Sequence, residues 1–322
     1  MTRIAAIDCG TNSIRLLLAD VTYQGDRPVL TDYAREMRIV RLGQGVDKTG
    51  LLAPEAIERS LVALREYRAL IDEAGVSRIR FVATSAMRDA ANRQVFIDGV
   101  EEILGVTPEV VPGTEEAALS FSGALSVMGP AHERPVLVVD IGGGSTELVL
   151  GDCEVTSAIS IDMGSVRVSE KFFENVESRG GIPQAEQEAA IRWIDEQLDC
   201  AEEIVDLSSV KTVVGVAGTV TTITAQALGL DAYNPQAIHG AELGCEDINS
   251  AVRFMVDQPV ALKASLGFMP KGRADVIAGG ALIWQRVVAR VCERTCAKGY
   301  TIDTVLTSEH DILDGIALSM VK

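Results

Sequence analysis

Two widely separated segments of this chain follow the same residue pattern. The segment AAIDCGTNSIRLLLAD (5–20) aligns without gaps with LVVDIGGGSTELVLGD (137–152). In both, an apolar row enters an aspartate, passes a polar turn with glycine, and leaves in a second apolar row, which predicts a β-hairpin. Asp8 corresponds to Asp140. A repeat spaced this widely favours two related domains over a short-period solenoid.

The remainder of each half alternates strand and helix patterns, which indicates the α/β class. Residues 54–75 predict a helix that begins at Pro54, ends at Gly75 and keeps one face apolar. Residues 78–83 predict a strand, and the apolar run that starts at Val210 predicts a strand followed by a glycine turn and a helix.

Capping residues predict where further helices begin. Thr84 or Ser85 can cap a helix that continues towards Leu104, and Thr114 can cap a helix over 113–125. The final residues form a short amphipathic helix that is expected to return to the first domain, and GPAHERP (129–135) is expected to be the junction. The expected domains are residues 1–128 plus 308–322, and residues 129–307.

Composition limits the partners of the chain. The net charge of −17 opposes general binding to nucleic acid, which needs a basic surface. No run of about 18 uncharged apolar residues occurs, so no membrane span is expected. The six cysteines have no CxxC spacing, and although Cys292 and Cys296 could face each other on a helix, we expect reduced thiols in a cytoplasmic protein.

The second turn has the composition of a phosphate-binding site. It lacks the Rossmann pattern, because a strand-like row follows the glycines, and no Walker sequence occurs. Backbone amides of Gly142, Gly143 and Gly144 can turn towards one anion, and the hydroxyls of Ser145 and Thr146 can add donors. The alternative is a plain hairpin whose glycines only turn the chain.

The acids beside the turns suit a metal ion. Asp140 would repel phosphate directly, but it can hold Mg²⁺ through water, because Mg²⁺ combines few carboxylates with phosphate oxygens. Glu147 is a second acid near that position, and Asp8 heads the matching turn. A third glycine segment, with Gly218 and Thr219, either contacts a distal part of the ligand or caps a helix.

These segments together resemble the actin-like ATPase superfamily and, within it, the exopolyphosphatase and guanosine pentaphosphate phosphohydrolase (Ppx/GppA) family. The motifs DCGTNSIRLLLADV, ATSAMRDAAN, GTEEA, DIGGGSTEL and GRADVIAGGAL occur in the family's order and cover nearly the whole chain. The resemblance implies two actin-like (ribonuclease H-like) α/β domains with a cleft between them. The chain is similar to the short, two-domain form of the family.

The resemblance also implies site residues. It places the general base at Glu116, although a glutamate there is favoured by the helix dipole in any case. It places a phosphate-binding arginine after the strand at 78–83, where Arg88 is preferred to Arg93; Arg273 is a further candidate. The implied substrate-binding positions are Gly10, Thr11, Asn12, Ser13, Arg88, Gly142, Gly143, Gly144, Ser145, Thr146, Gly218 and Thr219, with Asp8, Asp140 and Glu147 for the metal.

The implied activity is metal-dependent hydrolysis of the terminal phosphoanhydride of inorganic polyphosphate. The alternatives are a guanosine pentaphosphate 5′-phosphohydrolase, a low-turnover sensor that binds the guanosine penta- or tetraphosphate alarmone, and a kinase on the same fold. Mg²⁺ is the expected cofactor, with Mn²⁺ as an alternative and K⁺ as an additional ion. A homodimer is compatible with the resemblance, whereas nucleic acid and membrane are not expected partners.

Overall fold

The computed structural model describes residues 2–25, 27–173 and 180–321. Residues 1, 26, 174–179 and 322 fall inside the predicted domains but lie outside the described residues. The described chain divides into two compact units. Unit 1 takes the residues up to Gly123 and those from Ile312 onward, and unit 2 runs from Ala124 to Asp311.

Unit 1 starts with a strand hairpin and continues with alternating helices and strands. Its elements are β1 (Thr2–Cys9), β2 (Ser13–Gln24), β3 (Arg27–Ile39), α1 (Val46–Thr49), α2 (Pro54–Glu73), β4 (Arg78–Ala83), α3 (Ser85–Asp89), α4 (Arg93–Leu104), β5 (Glu109–Val110) and α5 (Gly113–Ala124).

Unit 2 repeats this start and adds further helices. Its elements are β6 (Val136–Ile141), β7 (Thr146–Gly151), β8 (Val155–Ile161), α6 (Ser165–Phe172), α7 (Gln184–Glu202), β9 (Thr212–Val216), α8 (Ala217–Ala227), α9 (Pro235–Ile238), β10 (Glu242–Gly244), α10 (Cys245–Asp257), α11 (Val260–Ala264), α12 (Ile277–Cys296) and β11 (Thr304–Thr307). The last helix, α13 (Ile312–Ser319), belongs to unit 1 and packs on β1 and β2.

The two sheets have the same strand order. Unit 1 has the order β3-β2-β1-β4-β5, and unit 2 has β8-β7-β6-β9-β11 with β10 added at the edge. In each, the first strand lies inside the sheet, antiparallel to the hairpin partner on one side and parallel to the next strand on the other. This is the ribonuclease H-like arrangement, and it confirms the predicted α/β, actin-like fold class.

Strand β1 is buried on both faces because its sequence is apolar at successive positions. Side chains alternate between the faces of a strand. Ala5 and Ile7 therefore pack in one hydrophobic cluster of unit 1, while Ile4 and Ala6 pack in a second cluster with residues of α13. Burial on both sides holds the end of β1 in a fixed position, and the polar turn follows directly.

Two predicted elements are confirmed. The helix predicted over 54–75 is α2, with Pro54 as its first residue and Gly75 beyond its end at a φ of 66°. The strand predicted over 78–83 is β4. Within the described residues, no helix combines the length and apolar character that crossing a membrane would need.

One predicted helix extent and one predicted helix cap are wrong. The helix expected to continue to Leu104 breaks between α3 and α4, because the Asn92 side chain hydrogen-bonds the Leu52 backbone: Oδ1 accepts from the amide at 2.8 Å, and Nδ2 donates to the carbonyl at 2.9 Å. Thr114 is also not a cap. Helix α5 begins at Gly113, as predicted, so Thr114 lies inside it, and the Pro112 carbonyl accepts the first amide hydrogen bonds.

Candidate active site

The turn of unit 1 joins β1 to β2 and is closed by its own backbone. The amide of Gly10 donates to the carbonyl of Ser13 at 3.0 Å. The carbonyl of Thr11 accepts from Gly43, and the carbonyl of Asn12 accepts from the loop that precedes Gly43. The turn is therefore held by hydrogen bonds from the loop after β3, which fixes the direction of its side chains.

Asp8 has a built-in counter-charge. It lies directly opposite Arg15 in the β1–β2 register, and Arg15 donates to Asp8 Oδ2 from Nε at 2.9 Å and from Nη2 at 2.7 Å. Directly opposed residues point to the same face of a sheet, so the pair follows from the hairpin register. The carboxylate of Asp8 is thus held by a cation of its own strand pair.

Glu116 is a buried carboxylate in the first turn of α5. Its side chain is 9% exposed, and Oε2 accepts from Arg88 Nη1 at 2.5 Å. Burial raises the pKa of Glu116, with a smaller contribution from the negative charge of Asp8, while Arg88 and a hydrogen bond from Thr84 oppose that rise. A carboxylate with a raised pKa beside an arginine can orient water and accept a proton.

Glu115 has different surroundings from its neighbour. Its side chain is 43% exposed, and Oε1 accepts from Arg80 Nη2 at 2.8 Å. The two glutamates of the GTEEA segment therefore differ in burial and partner. The contrast supports Glu116, rather than Glu115, as the candidate base.

Arg88 and Arg93 also separate in the structure. Arg88 lies in α3, where its Nη1 contacts both Glu116 and the carbonyl of Val111, the latter at 3.1 Å. Arg93 is the first residue of α4, is exposed, and donates to the carbonyl of Met87 at 3.4 Å. The geometry supports the preference for Arg88.

Among the described residues of unit 1, three buried polar atoms have no hydrogen-bond partner: Thr11 Oγ1, Asn12 Oδ1 and Ser85 Oγ. Buried polar atoms are almost always paired, so each unpaired one needs an explanation. A Cβ added at Gly43 would lie 2.4 Å from the Thr11 side chain and 2.9 Å from that of Ala86, the neighbour of Ser85, so these residues lie close together. Two donors and one acceptor there suit a hydrated phosphate group.

The turn of unit 2 is closed in the same way and is anchored by α6. The amide of Gly142 donates to the carbonyl of Ser145 at 3.0 Å, matching the bond in unit 1. The carbonyls of Gly142 and Gly143 accept from the first amides of α6, and Arg167 Nε donates to the carbonyl of Gly144 at 3.0 Å. With these carbonyls occupied by protein donors, a ligand could use the amides of Gly143 and Gly144, whereas the predicted contact from the Gly142 amide is wrong because that amide already closes the turn.

Close packing against the turn of unit 2 requires glycine at position 164, which was not predicted from the sequence. An added Cβ at Gly164, just before α6, would lie 2.3 Å from the carbonyl oxygen of Gly143 and 2.5 Å from the amide nitrogen of Gly144. The positive-φ glycines of the described chain do not include Gly142, Gly143 or Gly144. Glycine in this turn is therefore not explained by a left-handed backbone.

Unit 2 has two carboxylates, Asp140 and Glu147, at the position where unit 1 has an aspartate opposite an arginine. They lie directly opposite each other in the β6–β7 register and are 5% and 1% exposed. Ser160 Oγ donates to Glu147 Oε1 at 2.6 Å. Like charges placed directly opposite are unfavourable, so this position favours a cation.

The two hydroxyl residues of this turn differ in their use. Both Ser145 and Thr146 are buried. The Thr146 hydroxyl donates to the carbonyl of Met163, so its proton serves the backbone between β8 and α6. Ser145 fits a role in phosphate binding better than Thr146 does.

The third glycine segment joins β9 directly to α8 through a strained residue. Ala217 has a φ of 66°, which is uncommon for a residue other than glycine. Arg273 Nη1 donates to the carbonyl of Gly218 at 3.1 Å, and an added Cβ at Gly218 would lie 2.2 Å from the guanidinium. Gly218 thus makes room for Arg273, and Thr219 is buried beside it.

The carboxylates of Asp140 and Glu147 in unit 2 are suitable ligands for Mg²⁺. Within the described residues, no cluster of three or more His, Cys, Asp or Glu side chains could hold a metal ion alone. Mg²⁺ commonly binds one or two carboxylates and completes its shell with water and phosphate oxygens, so the Asp140–Glu147 pair is sufficient. Asp8 fits less well, because Arg15 already holds its carboxylate.

The comparisons with known proteins cover nearly the whole chain. The sequence model of the Ppx/GppA phosphatase family matches residues 21–306. Exopolyphosphatase 2 of Mycobacterium tuberculosis is 45% identical, over 99% of both chains. The crystal structure of an exopolyphosphatase-like protein matches with a TM-score of 0.93 at 44% identity, over 99% of both chains. An exopolyphosphatase from Cytophaga hutchinsonii gives a TM-score of 0.85 at 26% identity, over 99% of this chain and 98% of the other.

Proposed function

Since the chain belongs to the Ppx/GppA phosphatase family, we propose that it hydrolyses the terminal phosphoanhydride of inorganic polyphosphate and releases orthophosphate. The observation that carries the proposal is the burial of Glu116 beside Arg88, Thr84 and Asp8. A glutamate on the surface at a helix start only interacts favourably with the helix dipole. Glu116 is instead buried among charged and polar side chains, which is typical of catalytic carboxylates.

Glu116 orients a water molecule for in-line attack on the terminal phosphorus and accepts its proton late in the step. This timing suits phosphoryl transfer, whose loose transition state needs positioning and charge stabilisation more than a strong base. The raised pKa of Glu116 makes it a better proton acceptor than a solvated glutamate, while Arg88 keeps it ionised. Arg88 also offers guanidinium protons to the phosphate oxygens.

Each turn offers a different set of groups to phosphate oxygens. In unit 1 the donors are the hydroxyls of Thr11 and Ser85, which have no protein partner, and Asn12 Oδ1 is an acceptor that suits a water molecule. In unit 2 the donors are the turn amides of Gly143 and Gly144 and the hydroxyl of Ser145. Gly10 leaves room for the ligand beside the turn of unit 1, while Ser13, Gly218 and Thr219 support these contacts by shaping the backbone.

Asp140 and Glu147 would hold Mg²⁺, which supplies positive charge to phosphate oxygens when it is bound. The residues themselves keep two carboxylates at one cross-strand position, and Ser160 orients Glu147. Mn²⁺ would be accepted by the same oxygens, since carboxylate ligands suit both ions.

The proposal is tested by measuring orthophosphate release from three substrates at equal terminal-phosphate concentration: short polyphosphate, long polyphosphate and guanosine pentaphosphate. We expect the highest kcat/KM on polyphosphate, and loss of release in excess chelator. A higher kcat/KM on guanosine pentaphosphate would identify that compound, rather than polyphosphate, as the substrate. Tight alarmone binding without release from any of the three would favour a sensor instead.

A further inference from the structure

Two cysteines of unit 2 meet across two helices. Cys245 is the first residue of α10, Cys292 lies in the last turns of α12, and their Sγ atoms are 3.5 Å apart. The two are 47 residues apart in sequence, so only the packing of α10 on α12 brings them together. The sequence suggested a different neighbour, Cys296, which lies on the same helix as Cys292.

The surroundings of the other cysteines differ from this pair. Cys9 is buried in β1 of unit 1, and Cys153, Cys200 and Cys296 are exposed. Cys245 and Cys292 are both partly buried, and their thiols hydrogen-bond to each other. They are thus a pair held by the fold, and neither belongs to the candidate active site.

The distance between the sulfurs suits bond formation. A disulfide has an S–S length of about 2.05 Å, so the two atoms must close by about 1.5 Å, which rotation of cysteine side chains can supply. Burial, followed by the hydrogen bond to Cys245, raises the pKa of Cys292 to about 12. Cys292 therefore keeps its proton, and the hydrogen bond between the two thiols holds the sulfurs next to each other.

We propose that Cys245 and Cys292 form a reversible two-electron redox site that takes a peroxide as its oxidant. The Cys245 sulfur attacks hydrogen peroxide, becomes a sulfenic acid and releases one water. The Cys292 sulfur then attacks that sulfenic sulfur, forming the disulfide and releasing a second water. In total, two thiols lose two electrons and two protons, and the peroxide is reduced to two water molecules.

The disulfide would join α10 to α12, and both helices pack on α8. The start of α12 lies against the first turn of α8, where Gly280 approaches Thr219. Cys292 lies about 18 Å further along α12, at 1.5 Å per residue. Oxidation is therefore expected to lock the helical layer at a distance from the candidate substrate contacts, and to raise thermal stability rather than block a contact.

The test uses the full-length chain, reduced and then treated with hydrogen peroxide at a small molar excess. We expect two of the six thiols to be lost and a proteolytic peptide that joins Cys245 to Cys292. The Tm should rise by roughly 5 °C or more, because the closed loop restricts the unfolded chain. Dithiothreitol should restore both the thiol count and the original Tm.

Variants separate this pair from other thiols. Cys245→Ser and Cys292→Ser should each abolish the cross-link and the Tm shift, whereas Cys200→Ser, an exposed control, should retain both. Peptide mapping of the wild-type chain needs no variant, so a poorly folded variant does not remove the test. A bridge between Cys292 and Cys296, or oxidation of Cys245 to sulfinic acid without a cross-link, would overturn the proposal.

Discussion

Arg88 Nη1 lies 2.5 Å from Glu116 Oε2, and this contact joins two helices of unit 1 that begin at the ends of different strands. The arginine follows β4 and the glutamate follows β5. Parallel strands end at the same edge of a sheet, so residues just beyond them meet there. The first two predictions concern this pair.

Glu116→Gln keeps the size of the side chain and removes the carboxylate. We expect kcat for orthophosphate release to fall by about 10²–10⁴, typical of a lost acid–base group, with substrate binding retained. Glu115→Gln is the matched control, since that residue is exposed and pairs with Arg80. Equal losses in both variants would show that the helix start, and not Glu116 itself, matters.

The pH dependence should report the same carboxyl. Burial raises the pKa of Glu116 and Arg88 lowers it, so Arg88→Met should raise that pKa further. The acidic limb of the kcat profile would then move to higher pH, because the carboxylate is the active form. Arg80→Met, which removes the partner of Glu115, should leave the limb in place. An unmoved limb in Arg88→Met would assign it to another group.

Metal dependence should separate the two repeated acids. Asp140→Asn should raise the Mg²⁺ concentration for half-maximal activity roughly tenfold or more, as expected for the loss of a charged group at a metal site. Asp8→Asn should change it less, because Arg15 already neutralises Asp8. Titration of both variants with MgCl₂ checks this. A larger effect in Asp8→Asn would indicate that the metal binds in unit 1 instead.

Glycine-to-alanine changes distinguish ligand contact from backbone shape. An added Cβ at Gly10 would make an ordinary contact, 3.5 Å from the carbonyl oxygen of Ser13. We therefore expect Gly10→Ala to keep its Tm but to lose about 1–3 kcal/mol of polyphosphate affinity, measured by calorimetry. Gly164→Ala, in contrast, should lower the Tm, because its Cβ would overlap the turn of unit 2. Normal binding by a destabilised Gly10→Ala protein would make Gly10 a turn former.

The stability of unit 2 should depend on a partly buried ion-pair network between α7 and α12. Arg290 Nη1 donates to Asp199 at 2.6 Å and to Glu202 at 2.7 Å. Arg290→Met should lower the free energy of unfolding by about 1–3 kcal/mol in urea denaturation. Arg65→Met, at an exposed pair with Glu58, should cost below about 0.5 kcal/mol.

The decrease in the free energy of unfolding caused by Arg290→Met should also depend on pH. Arg294 and then Arg290 lower the pKa of Glu202 below its usual 4.5. A lowered carboxyl pKa stabilises the fold above the unfolded pKa, and the gain disappears as the pH falls through the folded value. The difference between wild type and Arg290→Met should therefore shrink below about pH 4.5. A constant difference would assign the loss to packing of the arginine stem.

The hairpins could be predicted from sequence because apolar rows, acid and glycine all lie within sixteen consecutive residues of each copy. What depends on distant packing could not. The helix after β4 breaks because Asn92 meets Leu52, and nothing local signals that contact. Ser85 was assigned only to capping, and its unpaired hydroxyl is visible only when burial is known. The gapless alignment does pair Arg15 with Glu147, and this difference was a signal that could have been used.

That difference has a consequence for the charge of each hairpin. The two hairpins are copies of one template, with the same strand order and the same closing hydrogen bond. The residue opposite the aspartate differs between them: one copy carries arginine and the other glutamate. The scaffold is the same in both halves, and this residue gives each half its own ionic character. The exchange of Arg15 and Glu147 would recreate the opposite specialisation within the same architecture.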